Sequence, residues 1–118
     1  MKLINLTELV ESGDVKWVLG QGKALVQDES LELAFYNHVN GEANNSLHHH
    51  NLSTERLLII KGGMLLEING KEYSIGEMEL ICIEPGEEHR IISYQEGTYA
   101  LNMRNSKLGA VGHLVEDR

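Results

Sequence analysis

Three consecutive histidines, His48, His49 and His50, stand inside this 118-residue chain, and Glu55 follows them by five residues. Imidazole nitrogens and a carboxylate are the donors that hold divalent transition ions. In extended backbone, side chains alternate between faces, so His48 and His50 point one way, about 6 to 7 Å apart at their backbones, and His49 points the other. Glu55 opens the apolar run Arg56 to Lys61. A carboxylate carried into a core on such a strand needs a partner, and a metal cation is one. His89, just beyond the turn at Pro85 and Gly86, is the fourth candidate, and only a closed or folded sheet brings it to the others. Three imidazoles and one carboxylate suit Mn, Fe, Co, Ni or Zn, with positions left for water or substrate if the ion is octahedral, while by spacing alone a solvated loop is the competing and commoner reading of such a histidine run. A purification tag would be longer and terminal, whereas this histidine run is internal and leads into an apolar segment.

The elements that would position these residues read as strands. From Val15 onward, short apolar or alternating runs recur between turn residues, as in β-sandwiches and barrels. The expected strands are Lys16 to Leu19, Lys23 to Gln27, Leu31 to His38, Arg56 to Lys61, Met64 to Ile68, Lys71 to Ile75, Met78 to Ile83, His89 to Tyr94 and Thr98 to Arg104, with a last one at Val111 to Val115. Asn69-Gly70 predicts a type I′ hairpin. Glu84-Pro85-Gly86-Glu87 predicts a turn that delivers His89 to the head of a strand. Before the strands, Asn5 and Glu8 frame the start of an apolar segment that ends at Ser12-Gly13, predicting a capped helix of about two turns.

Other residues are candidates for a ligand pocket. Tyr36 and His38 share a strand face by alternation, as do Asn102 and Arg104, and Arg104 has the planar fork that binds carboxylate or phosphate. A solvated outer face is the competing reading for both pairs. Cys82, the only cysteine, lies in the apolar run Leu80 to Ile83 and is expected to be a small core residue.

Composition narrows the partners. Ten Lys and Arg against eighteen Asp and Glu give a formal charge of −8, which repels nucleic-acid phosphates and anionic lipid, and no basic patch offsets it. No apolar run reaches membrane length, and no signal-peptide core precedes a cleavage site, so a cytoplasmic protein is expected. A single cysteine permits no internal disulfide and fits a reducing compartment. With 42% hydrophobic and 24% charged residues and no linker or repeat, the chain reads as one ordered domain over residues 1–118.

Two motifs resemble those of the cupin superfamily. The first is similar to G-x5-H-x-H-x3,4-E-x6-G: Gly41 is followed after six residues by His48 and His50, then after four by Glu55, then after six by Gly62. Only the opening gap departs, by one residue. The second is similar to G-x5-P-x-G-x2-H-x3-N and falls on Gly76, Gly86, His89 and Ser93. Glu84 replaces the usual Pro, the Gly76-to-Gly86 gap is two residues longer, and Ser93 replaces Asn, but no ligand position changes. The resemblance spans Gly41 to Ser93 and implies an all-β jelly-roll barrel, here with a short N-terminal helix, and metal ligands His48, His50, Glu55 and His89. A bulge within the histidine run would exchange His49 with a neighbour. Small cupins are commonly homodimers, which the terminal strands could serve as edges.

Two function classes stay open. In one, the ion supports dioxygenase, decarboxylase or isomerase chemistry on a small polar or anionic molecule. In the other, the same cavity is a non-catalytic module that binds a sugar or small acid. A general acid or base beside the ion separates them, and Tyr36, His38 and Arg104 are the candidates.

Overall fold

The structure, a computed structural model, describes residues 1–9, 14–42 and 53–105, without the side chains at positions 7, 9, 14, 38, 40 and 42. The histidine run and the expected strand Val111 to Val115 lie outside the described residues. A helical turn, α1 (Leu6–Leu9), is followed by β1 (Asp14–Gly20), β2 (Val26–Gln27), β3 (Leu31–Glu42), β4 (Glu55–Lys61), β5 (Gly63–Ile68), β6 (Lys71–Gly76), β7 (Leu80–Ile83) and β8 (His89–Asn105). The fold is an all-β jelly-roll barrel of the cupin type. No helix among the described residues is long and apolar enough to cross a membrane.

One strand organises the rest. β3 pairs antiparallel along β8 from Leu31↔Asn105 to Glu42↔Ser93. On the other edge of β8, the half from Tyr99 to Arg104 pairs with β4, and the half from His89 to Tyr94 pairs with β5. β7 adds to β4, β6 to β5, and β1 to β3, all antiparallel, while β2 joins β1 in parallel. The two strands expected at His89 to Tyr94 and Thr98 to Arg104 are therefore one, continued through Gly97 at φ 76°.

Alternation sorts the core as the pattern predicts. Leu57 and Ile59 of β4 and Met64, Leu66 and Ile68 of β5 point inward with Ala34, Tyr36, Ile75, Ile83, Ile91 and Ala100. Tyr36 and Val39 both enter this core although they stand three positions apart. The register shift between Asn37 and Val39 makes that possible. A second apolar cluster lies around Val18 and Phe35, where Ile4 and Leu6 of the N-terminal segment pack with Leu33, Tyr99 and Leu101.

The predicted turns form. Asn69 and Gly70 have φ of 50° and 84°, the two positive values of a type I′ hairpin. Gly86 has φ 88°, and Glu87 N–H donates to the Glu84 carbonyl at 3.2 Å. Several expectations need correction. The strand at Lys23 to Gln27 shrinks to Val26–Gln27, because Gly20 and Gly22 turn the chain with positive φ. Met78 has φ 61°, so β7 begins at Leu80 instead of Met78. Cys82 is exposed, not in the core, since Ile83 takes the inward position on that short strand.

At the junction of β4 and β5, Gly62 (φ 88°) lies against Thr98, which is fully buried. The Thr98 hydroxyl accepts from Gly63 N–H at 3.1 Å and faces the carbonyls of Gln95 at 2.7 Å and Gly63 at 3.0 Å. A Cβ at position 62 would stand 2.8 Å from Thr98 Cα, whereas one at Gly97 would meet nothing within 4 Å. Gly97→Ala should therefore cost only the left-handed backbone term, about 1–2 kcal/mol. Gly62→Ala adds a backbone clash and should cost clearly more, and urea unfolding of both variants measures the difference.

Candidate functional site

β4 carries Glu55 on the same face as Leu57 and Ile59, into the barrel. Its side chain is only 13% exposed, so its charge needs donors. Two strand segments far away in sequence supply them. His89, at the first position of β8, brings Nε2 to 2.8 Å from Glu55 Oε1. Asn102, near the end of the same strand, donates Nδ2–H to Glu55 Oε2 at 2.6 Å. The same amide nitrogen donates to Tyr36 Oη at 3.2 Å. Tyr94 packs edge-on to Tyr36 with ring centroids 6.1 Å apart.

The other ring nitrogen of His89 fixes the chemistry of the first. Nδ1 lies 2.9 Å from the Glu87 carbonyl, which can only accept, so Nδ1 carries a proton. Nε2 of a neutral His89 then presents its lone pair to the carboxylate, an arrangement that needs a proton or a cation between the two atoms. His89 is 3% exposed. Burial pulls its pKa down, but the hydrogen bond and charge of Glu55, with the carbonyl and charge of Glu87, more than offset this and the net shift is upward. Burial pushes the Tyr36 hydroxyl far above its ordinary range, so it stays protonated. Tyr94 is raised for the same reason.

Of the residues singled out from sequence, Glu55, His89, Asn102 and Tyr36 meet in one hydrogen-bonded cluster. The sequence offers Asn102 only as a pocket candidate; its role in holding Glu55 depends on the β4–β8 register, where Leu57 faces Asn102. Arg104 sits one step further along the same face. It lies opposite Glu55 on β4 and opposite Glu32 on β3. Its guanidinium turns to Glu32, with Nε donating to Oε1 at 3.0 Å and Nη2 to the same oxygen. Both residues of that pair are buried. Glu32 escaped the sequence reading, although it alternates with Ala34 and Tyr36 on an inward face, and that parity was the available signal. Glu87 closes its own turn, its carboxylate accepting from Glu84 N–H at 2.9 Å. His48, His49 and His50 lie outside the described residues, as does the side chain of His38.

Among the described residues no three His, Cys, Asp or Glu gather as a metal cluster. The pair present nevertheless fits an ion: an imidazole nitrogen and a carboxylate oxygen converge from separate strands, each oriented from behind, His89 by a carbonyl and Glu55 by an amide.

The raised His89 pKa has a stability consequence with a definite sign. In metal-free protein the paired imidazolium stabilises the fold fully below the ordinary histidine value of about 6.5 and loses that contribution as pH rises through the raised value. The His89 ring resonance should titrate above the ordinary value, and stability to urea should fall on the alkaline side of that midpoint. Glu55→Gln should return the midpoint toward or below the ordinary value, as read by NMR.

The profile of the family described as AraC-like ligand binding domain matches residues 32–117. Among solved structures, TT1209 from Thermus thermophilus superposes with a TM-score of 0.68 at 15% identity, covering 90% of this chain and 97% of that one. KdgF from Halomonas sp. gives 0.64 at 10% identity over 82% and 81% of the two chains. A variant of PAC13 from Streptomyces, in a structure with uridine, gives 0.64 at 13% identity over 100% and 89%. No curated protein sequence matches the chain. At these identities the solved structures speak for the fold, and with the profile match over most of its length the chain belongs to the AraC-like ligand binding domain family of the cupin superfamily.

Proposed function

We propose that this cupin domain holds one divalent transition metal in its barrel through His48, His50, Glu55 and His89, and presents it to a small polar or anionic molecule. The observation that carries the reading is the convergence of His89 Nε2 and Glu55 Oε1, 2.8 Å apart from strands 34 residues distant in sequence. Donors of this kind suit Mn, Fe, Co, Ni or Zn. A bound ion would act as a Lewis acid on a ligand oxygen, the chemistry that dioxygenase, decarboxylase and isomerase cupins share.

The protein's own residues would orient that ligand. Asn102 keeps one Glu55 oxygen engaged and leaves the other directed at His89. Tyr36 is a protonated hydroxyl beside them, able to donate a hydrogen bond but, with its pKa raised by burial, poorly suited to give up a proton or to act as a base. A second reading, a non-catalytic module that binds a sugar or small acid in the same cavity, is supported by the ligand-binding description of the matched family. The exposed Cys82 thiol agrees with a reducing, cytoplasmic setting. Leu80 on β7 and Met78 beside it, 55% and 72% exposed, offer apolar surface that a homodimer would cover.

Elemental analysis of untagged protein, scored as metal per chain, tests the ion directly. Near-stoichiometric metal is expected, with a sharp fall in His48→Ala, His50→Ala and His89→Ala and little change in His49→Ala. Glu55→Gln should weaken metal retention and leave the circular dichroism spectrum unchanged, since it removes charge and little volume. Equal loss from His49→Ala would show that the register of the histidine run is shifted. Protein that takes up none of the five metals would leave the binding-module reading.

A further inference from the structure

Beside the Glu32–Arg104 pair the surface opens into a cavity of about 260 Å³, whose walls include Trp17, Leu19, Gln21, Lys23, Glu32 and Arg104. Its floor is the buried ion pair; its rim is the turn that carries Gln21 and Lys23 between β1 and β2. Trp17 is 48% exposed, an uncommon placement for an indole, and it stands opposite Ala34 in register. The cavity thus combines a flat apolar wall, an amide, and two cationic side chains against one carboxylate. Among the described lining residues that balance is +1, in a chain whose formal charge is −8. An anion is repelled by most of this protein and drawn to this opening.

We infer that the cavity is a binding site for a small organic anion with a flat or ring-shaped apolar face, of about monosaccharide size. The ring lies on Trp17, and the carboxylate or phosphate meets Lys23 at the rim with Arg104 behind it. The volume suits a molecule of that size, being just below the range of pockets that take drug-sized ligands, roughly 300–1,000 Å³. Glu32 is the positioning residue: it holds the Arg104 guanidinium toward the cavity and away from Glu55, its other cross-strand neighbour. Among the described walls none is a proposed metal ligand, and holding the protein in chelator separates binding here from binding at an ion.

The chain has one tryptophan, so its fluorescence reports this cavity alone. With the protein held in chelator, titrations with glucuronate and benzoate are read by Trp17 emission and by calorimetry, with glucose and sodium sulfate as controls. The expected result is a saturable blue shift with at least one of the two carboxylates, glucuronate pointing to hydroxylated rings and benzoate to aromatic ones. Lys23→Gln, at an exposed turn position, should weaken that binding about tenfold without loss of fold, the worth of one charge-assisted contact. Arg104→Lys keeps the charge but loses the fork, and should weaken binding where it still folds. No saturable change with either carboxylate, an equal response to glucose or to sulfate, or unaltered affinity in Lys23→Gln would each overturn the assignment.

Discussion

A carboxylate on an apolar strand, turned inward, is the constraint around which this molecule is arranged. Glu55 shares its face with Leu57 and Ile59, two of the most deeply buried side chains, and keeps only 13% of its own side chain exposed. Moving such a charge out of water costs several kcal/mol even after relaxation, and one neutral hydrogen bond, worth about 1 kcal/mol, does not offset it. The fold answers with an imidazole on one carboxylate oxygen and an amide on the other. Both come from β8, whose two ends would be independent strands had Gly97 not carried the backbone through. Closing the barrel and satisfying Glu55 are thus one event described at two scales.

Across the middle strands, the interior is not uniformly apolar. Glu55, Arg104 and Glu32 sit opposite one another on β4, β8 and β3, a row of alternating sign. Opposite charges placed directly across strands attract, whereas two carboxylates in that position would repel. The central arginine serves one neighbour, and His89 serves the other, so each carboxylate has its own cation or donor. One row beyond, Leu57 and Ala34 begin the ordinary core on either side of Asn102, whose amide reaches back to Glu55. The polar layer and the apolar layer are therefore separated by a single step of two residues along β3 and β4.

Much of this was legible in the sequence, and the reasons are local. The Asn69-Gly70 hairpin and the Pro85-Gly86 turn follow from residues that accept positive or fixed φ, and both form as expected. Glu55 and His89 stood out because a charged and a titratable residue begin apolar strands. What stayed hidden depends on register and on interrupted alternation. Asn102 could not be joined to Glu55 without knowing that Leu57 faces it. The bulge after Asn37 lets Tyr36 and Val39 enter one core, which a strict two-residue period forbids. Glu32 reads as an ordinary charged residue unless β3 is known to be buried on the face it shares with Ala34 and Tyr36. Cys82 misled because an apolar run of four residues does not say which of its faces turns inward.

The length of β8 also sets an order of events in biosynthesis. Its residues His89 and Asn102 close the cluster, and it pairs with β3, β4 and β5, all of which leave the ribosome earlier. Contacts between β3 and β8 join residues as far apart as Leu31 and Asn105, so the chain must bring distant segments together before most of its sheet is rewarded. Until then β3 and β4 present open edges, and Glu55 is met by water. The cluster is consequently among the last features to exist in a newly made molecule, and folding limited by this late docking should be slow for a domain of this size.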